Sequence, residues 1–133
     1  MSIRVKSFAR LWKEPEIYNV LSKQGPVATA LNARHKDFRF YSQGILNIKD
    51  SKKLANHAAV IVGAGVEKGM NYWKVKNSWG TGWGEGGFVR IARGSSMCGI
   101  GRRSAYATDL SLCTPFGAIP IHMYGYCQPI KSI

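Results

Sequence analysis

The chain has 133 residues and 14.7 kDa, with 45% apolar and 20% charged residues, enough to bury the core of one domain. That composition excludes a disordered chain, a collagen-like fibre and a disulfide-dense miniprotein. Nineteen Lys and Arg against seven Asp and Glu leave a net charge of +12, which attracts acidic proteins, nucleic acid or anionic membranes.

Residues 1–17 hold no apolar stretch long enough for a secretory signal, and Arg4, Lys6 and Arg10 precede the first acid, Glu14. The spacing predicts a helix over Lys13–Lys23. Pro15 suits its first turn, Glu14 and Glu16 suit its positive end, and Ile17, Val20 and Leu21 recur at helical spacing. Gly25-Pro26 stops it, and Val27–Leu31 reads as a strand. A polar, basic, aromatic segment runs to Phe40-Tyr41. Gly44 turns the chain before Ile45-Leu46, and Lys49–Lys53 reads as a charged surface loop.

The second half reads as antiparallel sheet. Ala58–Val62 is a compact buried strand ending at Gly63 and Gly65, Tyr72–Lys76 alternates as a half-buried strand does, and Phe88–Ile91 is a third. Between the last two, Ser78–Gly87 packs five glycines into ten residues, the mark of a backbone that needs positive φ or close approach. Residues 110–130 carry no charged side chain apart from His122 and contain three prolines, so an extended tail packed on a surface is expected.

No run of 18 apolar residues indicates a membrane-spanning helix. Neither the spacing of Cys98, Cys113 and Cys127 nor the scatter of His35, His57 and His122 resembles a metal-ligand set, and no cofactor is indicated. Three cysteines allow one bridge plus a free thiol, or three free thiols.

Three blocks then carry a resemblance: Asn56-His57-Ala58-Ala59-Val60, the run from Tyr72 through Asn77-Ser78-Trp79-Gly80 to Phe88, and Cys98-Gly99-Ile100. With Gly25-Pro26-Val27 and Tyr41-x-x-Gly44-Ile45, they resemble the papain family of cysteine peptidases from about Ile3 to Ala107. The stretch corresponds to the right-hand half of that fold. The resemblance implies an α+β fold: an antiparallel β-barrel with one or two short helices over residues 1–107, followed by an extended uncharged tail over 108–133. It implies that His57 is the general acid/base, that Asn77 orients its ring, and that Trp79 shields the pair from water. Ala30, Ala55 and Ala58 match pocket positions and imply room for a bulky apolar side chain of the substrate. Cys98 matches a structural half-cystine whose usual partner is missing between Gly44 and Asn56.

The family's nucleophilic Cys and oxyanion-hole Gln belong to the left-hand half, and no stretch here resembles it. The expectation is therefore a half-domain inactive alone, whose activity requires a partner chain supplying both groups. The alternative is a non-catalytic structural or binding subunit of a larger, nucleic-acid-rich assembly. Either way another protein chain, or else residues 108–133 folded back, is expected to cover the half-domain interface, and the basic surface is expected to draw an acidic protein or nucleic acid. An intracellular, even organellar, location is favoured, or a lysosomal or secreted one if the chain belongs to a longer precursor.

Overall fold

A computed structural model describes all residues except Met1, Asp50, Lys52, Lys53, 114–126 and 130–133. Among the described residues the elements run in the order β1 (Ser2–Leu11), α1 (Glu14–Lys23), β2 (Val27–Leu31), α2 (Lys36–Arg39), β3 (Ile45–Leu46), β4 (His57–Glu67), β5 (Met70–Lys76), β6 (Phe88–Ala92), a 3-10 turn (Met97–Gly99), β7 (Ser104–Cys113) and β8 (Cys127–Pro129). The chain divides into two compact units. One is Arg10–Tyr106; the other joins residues 1–9 to residues 107–133.

In the Arg10–Tyr106 unit the strands neighbour one another in the order β7, β2, β4, β5, β6, β3. The fold class expected from the sequence is present, with two differences in the sheet. The strands form an open path rather than a closed barrel, and β3 joins β6 in parallel, so the sheet is mixed. β3 is two residues long, too short to carry a second ladder that would close the ring.

Helix α1 starts as its sequence dictates. Pro15 occupies the first turn, Glu16 reaches back to accept the Trp12 N–H at 2.9 Å, and Ile17 and Val20 face the core. Glu14 does more than favour the helix dipole. Its Oε2 accepts from Trp73 Nε1 and from the Gly94 N–H, both at 2.9 Å, and its Oε1 accepts from the Ser96 N–H. One carboxylate thus satisfies the indole of the largest buried side chain and pins the turn after β6.

β4 departs from the expected compact buried strand. It runs through Gly63 and Gly65 to Glu67, and its first half alternates, with Ala59 and Ile61 inward and Ala58 and Val60 outward. Its register against β5 shifts between Ile61 and Gly63, so a bulge separates the first half of the strand from an outer hairpin arm. That arm closes with Glu67 opposite Met70. Lys68 and Gly69 lie between them at φ 49° and 78°, both left-handed as a two-residue hairpin turn demands.

The second unit contains most of β1, the outer part of β7, and β8. Ser7 and Thr108 hydrogen-bond through their hydroxyls at 2.7 Å, and β8 pairs antiparallel with β7. The expected extended tail lies largely outside the described residues. So does most of the expected loop at 49–53, of which Lys49 and Ser51 are described.

Candidate active site

Backbone register brings the site together. β2 pairs with β4 so that Leu31 faces His57 and Ala30 faces Ala58. β4 pairs with β5 with Val60 opposite Lys76, and continuing that register past the end of β5 carries the chain back toward His57. The loop entering β4 is held by two asparagines. Asn56 Oδ1 accepts the Ala33 N–H at 2.9 Å, and the buried Asn32 donates to the Leu54 carbonyl.

His57 Nε2 lies 2.8 Å from Asn77 Oδ1. The Asn77 side chain is oriented by a donor that has no alternative role: the Ser78 backbone N–H reaches the same atom at 2.8 Å, so that atom is the oxygen. An oxygen there makes His57 Nε2 the protonated nitrogen of the neutral ring. The lone pair is then on Nδ1, which makes no hydrogen bond among the described residues. This is the arrangement a general base requires. Asn77 is 7% exposed, and its Nδ2 is buried with no partner.

Aromatic rings enclose the pair on one side. Trp79 lies 5.1 Å from the His57 ring, centroid to centroid, and is itself 41% exposed, so its shielding is partial. Phe38 is fully buried and meets Trp79 edge-on at 5.5 Å, Trp83 at 5.3 Å and His57 at 6.3 Å. Trp83 donates its indole N–H to the Arg39 carbonyl at 3.0 Å.

The sequence reading singled out Trp79 and missed Phe38, Trp83 and the short helix that places Phe38. The signal was present: His35 accepts the Asp37 N–H through Nδ1 at 3.2 Å, an N-cap two residues before an acid. Histidine is an uncommon cap, and a helix of four residues has too little periodicity to show.

The glycine-rich loop beyond Trp79 is tied down at its far end. Glu85 Oε1 accepts the Gly44 N–H at 3.0 Å and pairs with Arg90 Nη2 at 2.9 Å, while Oε2 takes Arg90 Nε at 3.0 Å. Arg90 also pairs with Glu67. The Arg90 hydrogen bonds hold the Glu85 carboxyl below its ordinary range, and Glu85 in turn raises the affinity of Arg90 for its proton. Gly84 is required here: at φ +58°, an added Cβ would lie 2.5 Å from the Phe88 carbonyl oxygen and 3.0 Å from the Tyr41 ring.

Two cavities adjoin the positions matched to a substrate pocket. One, of about 610 Å³, includes Ala30, Ala58, Trp12 and Arg103 in its wall; the other, of about 630 Å³, includes Ala30, Ala55, Trp12 and Arg103. Cys98, 1% exposed, is a free thiol pushed up to about 11 by burial, so it is protonated at neutral pH and sealed from substrate. No group of three or more metal-ligating side chains occurs among the described residues.

The site therefore presents an oriented imidazole with an open Nδ1, packed against an indole. The papain family cysteine protease pattern matches residues 2–108, and the chain belongs to that family. It is 41% identical over 98 residues to cathepsin L of Sarcophaga peregrina, covering 71% of this chain and 29% of that protein. It is 37% identical over 97 residues to silicatein of Petrosia ficiformis, with the same coverages. Among solved structures, procathepsin L 3 of Tenebrio molitor superposes with a TM-score of 0.73 at 34% identity, covering 77% of this chain and 34% of that one. The bromelain protease of Ananas comosus in complex with the E64 inhibitor gives 0.72 at 37%, covering 78% and 50%. The chain thus spans about 29% of the length of these two curated relatives.

Proposed function

We propose that the Arg10–Tyr106 unit supplies the acid/base half of a papain-type cysteine peptidase site, completed by a separate segment that brings a thiolate and an oxyanion donor to His57. The observation that carries this reading is the 2.8 Å His57–Asn77 contact, with Nδ1 left open. In the completed site, Nδ1 takes the thiol proton and the resulting imidazolium stabilises the thiolate. After attack on the peptide carbonyl, the imidazolium gives that proton to the departing amine. Asn77 Oδ1 holds the ring in one orientation through both transfers. Ala30, Ala55 and Ala58 would border the pocket for a substrate side chain, with Arg103 placing a cation in the same wall.

We infer that the completing segment covers an exposed apolar face of this unit. The outward residues of β2 and β4 are Ala28, Ala30, Ala58 and Val60, with Trp12 55% and Leu54 83% exposed. Apolar surface left in water forgoes about 25 cal/mol for each Å², so covering this face is favourable. A second reading, a non-catalytic subunit docking an acidic protein or nucleic acid, is favoured by the net charge of +12.

One experiment separates the two. The chain is isolated from its source under native conditions, treated with an epoxide inhibitor of the E64 type, and assayed on a fluorogenic peptide. The peptidase reading expects a co-purifying segment whose cysteine is labelled, and turnover abolished by His57→Ala. The binding reading expects an unlabelled complex that His57→Ala leaves intact. Peptide turnover by the isolated chain through Cys98, Cys113 or Cys127 would overturn the requirement for a second segment.

A further inference from the structure

β8 lies on β7 with Ser111 opposite Pro129, Leu112 opposite Gln128 and Cys113 opposite Cys127. Residues directly opposed on antiparallel neighbours have Cα atoms about 4.5 or 5.5 Å apart, according to whether they are a non-hydrogen-bonded or a hydrogen-bonded pair. Both separations fall within the roughly 4.4–6.8 Å that a disulfide spans. Opposed residues also share one face of the ribbon. The two cysteines therefore occupy the register position that a cross-strand bridge needs.

We propose that Cys113 and Cys127 form a disulfide that staples β8 to β7. The bond forms by exchange with a small-molecule disulfide. One protein thiolate attacks it, giving a mixed disulfide and releasing one small thiolate; the second protein thiolate attacks the mixed disulfide and displaces the other. Two protein thiols lose their protons and two electrons, and the small disulfide is reduced to two thiols. Cys98 does not compete, because its thiol is buried in the other unit and exchange proceeds through an accessible thiolate. The bridge persists in an oxidising compartment and opens in a reducing one, so attachment of β8 becomes a property of where the protein resides.

The sequence itself provides the control. Cys98 and Cys113 are 15 residues apart, and Cys113 and Cys127 are 14 apart. Loop-closure cost depends weakly on length, so an unfolded chain forms both bridges at similar frequency. The full chain is oxidised with a mixture of reduced and oxidised glutathione, once folded and once in guanidinium chloride, then acid-quenched, unfolded, alkylated and digested. Trypsin releases residues 104–131 as one peptide, because no Lys or Arg intervenes, and chymotrypsin then cuts between the two cysteines.

The folded sample is expected to carry the Cys113–Cys127 link at least tenfold over Cys98–Cys113, with Cys98 alkylated, and the unfolded sample to carry the two at comparable levels. Folded protein that keeps three alkylated cysteines, or that links Cys98, overturns the proposal. So does a Cys113–Cys127 link between two chains, which mixing with a nitrogen-15-labelled copy reveals.

Discussion

The two ends of the glycine-rich segment after β5 obey opposite rules. At the far end both Glu85 oxygens are engaged, by Arg90 and by the Gly44 N–H, and Arg90 adds Glu67. At the near end Asn77 Oδ1 takes two donors while Nδ2 is buried without a partner, His57 Nδ1 is open, and Trp79 is 41% exposed. A buried donor left unmade costs about 1–3 kcal/mol. The far end holds the loop in shape. The near end leaves valences unmet beside the His57 ring, so saturated and unsaturated contacts are divided between the ends of one segment.

The largest effect is expected beneath both ends. Phe38 is fully buried and touches Trp79, Trp83 and His57, so Phe38→Ala should cost about 3–5 kcal/mol and release the indole from the histidine. Urea titration measures the loss, and tryptophan fluorescence reports the freed ring. An unchanged emission spectrum would show that the rings do not depend on Phe38.

Next comes the Glu14 brace. Glu14→Ala leaves the buried Trp73 indole and two backbone N–H groups without their acceptor, and should cost about 2–3 kcal/mol. A change below 0.5 kcal/mol in urea would show that water replaces the carboxylate there.

The far end has a pH signature. Glu85 is held below its ordinary range in the folded state, so its contribution is fully present above the unfolded carboxylate value near 4.3 and is lost as pH falls through the lower, folded value. Glu85→Gln should therefore destabilise at pH 6 by about 1 kcal/mol, discounted for partial exposure, with the difference narrowing below pH 4. Urea midpoints at both pH values give the comparison. A difference independent of pH would assign the effect to shape rather than charge.

The smallest change in stability is expected at the near end. Asn77→Ala removes an acceptor for two donors but also removes the orphaned Nδ2, and these largely offset, leaving a net effect within about 1 kcal/mol. The readout is the ring. Nitrogen-15 NMR of the neutral His57 should show the Nε2–H tautomer in the parent protein and a mixture in the variant. A mixture in both would remove the orienting role from Asn77.

Much of this was legible beforehand. Helix α1 and strand β2 follow from Pro15, Glu14 and the Gly25-Pro26 stop, signals that act within a few residues. The closeness of His57 and Asn77 could be read from the resemblance, but the fate of the Asn77 amide could not, because it depends on what surrounds Nδ2 in space. Helix α2 escaped for want of length. The run through Gly63 and Gly65 escaped because glycine usually ends a strand, whereas here Gly65 leaves room for the Tyr72 hydroxyl, which an added Cβ would approach to 2.6 Å. Glu14 was read as a partner of the helix dipole; its contacts with Trp73, Gly94 and Ser96 span sequence distances that no local pattern encodes.

The bulge in β4 has a consequence for how the gene can vary. Since register is reset between Ile61 and Gly63, the alternation of the arm that turns at Lys68-Gly69 is set independently of the stretch that begins at His57. Residues added or removed in pairs around Lys68-Gly69 lengthen or shorten an exposed finger and leave every inward position of His57–Ile61 unmoved. A single-residue deletion between His57 and Ile61 instead swaps inward for outward side chains along that strand. The tip is thus a natural insertion point, suited to an epitope or a fluorophore that leaves the imidazole undisturbed.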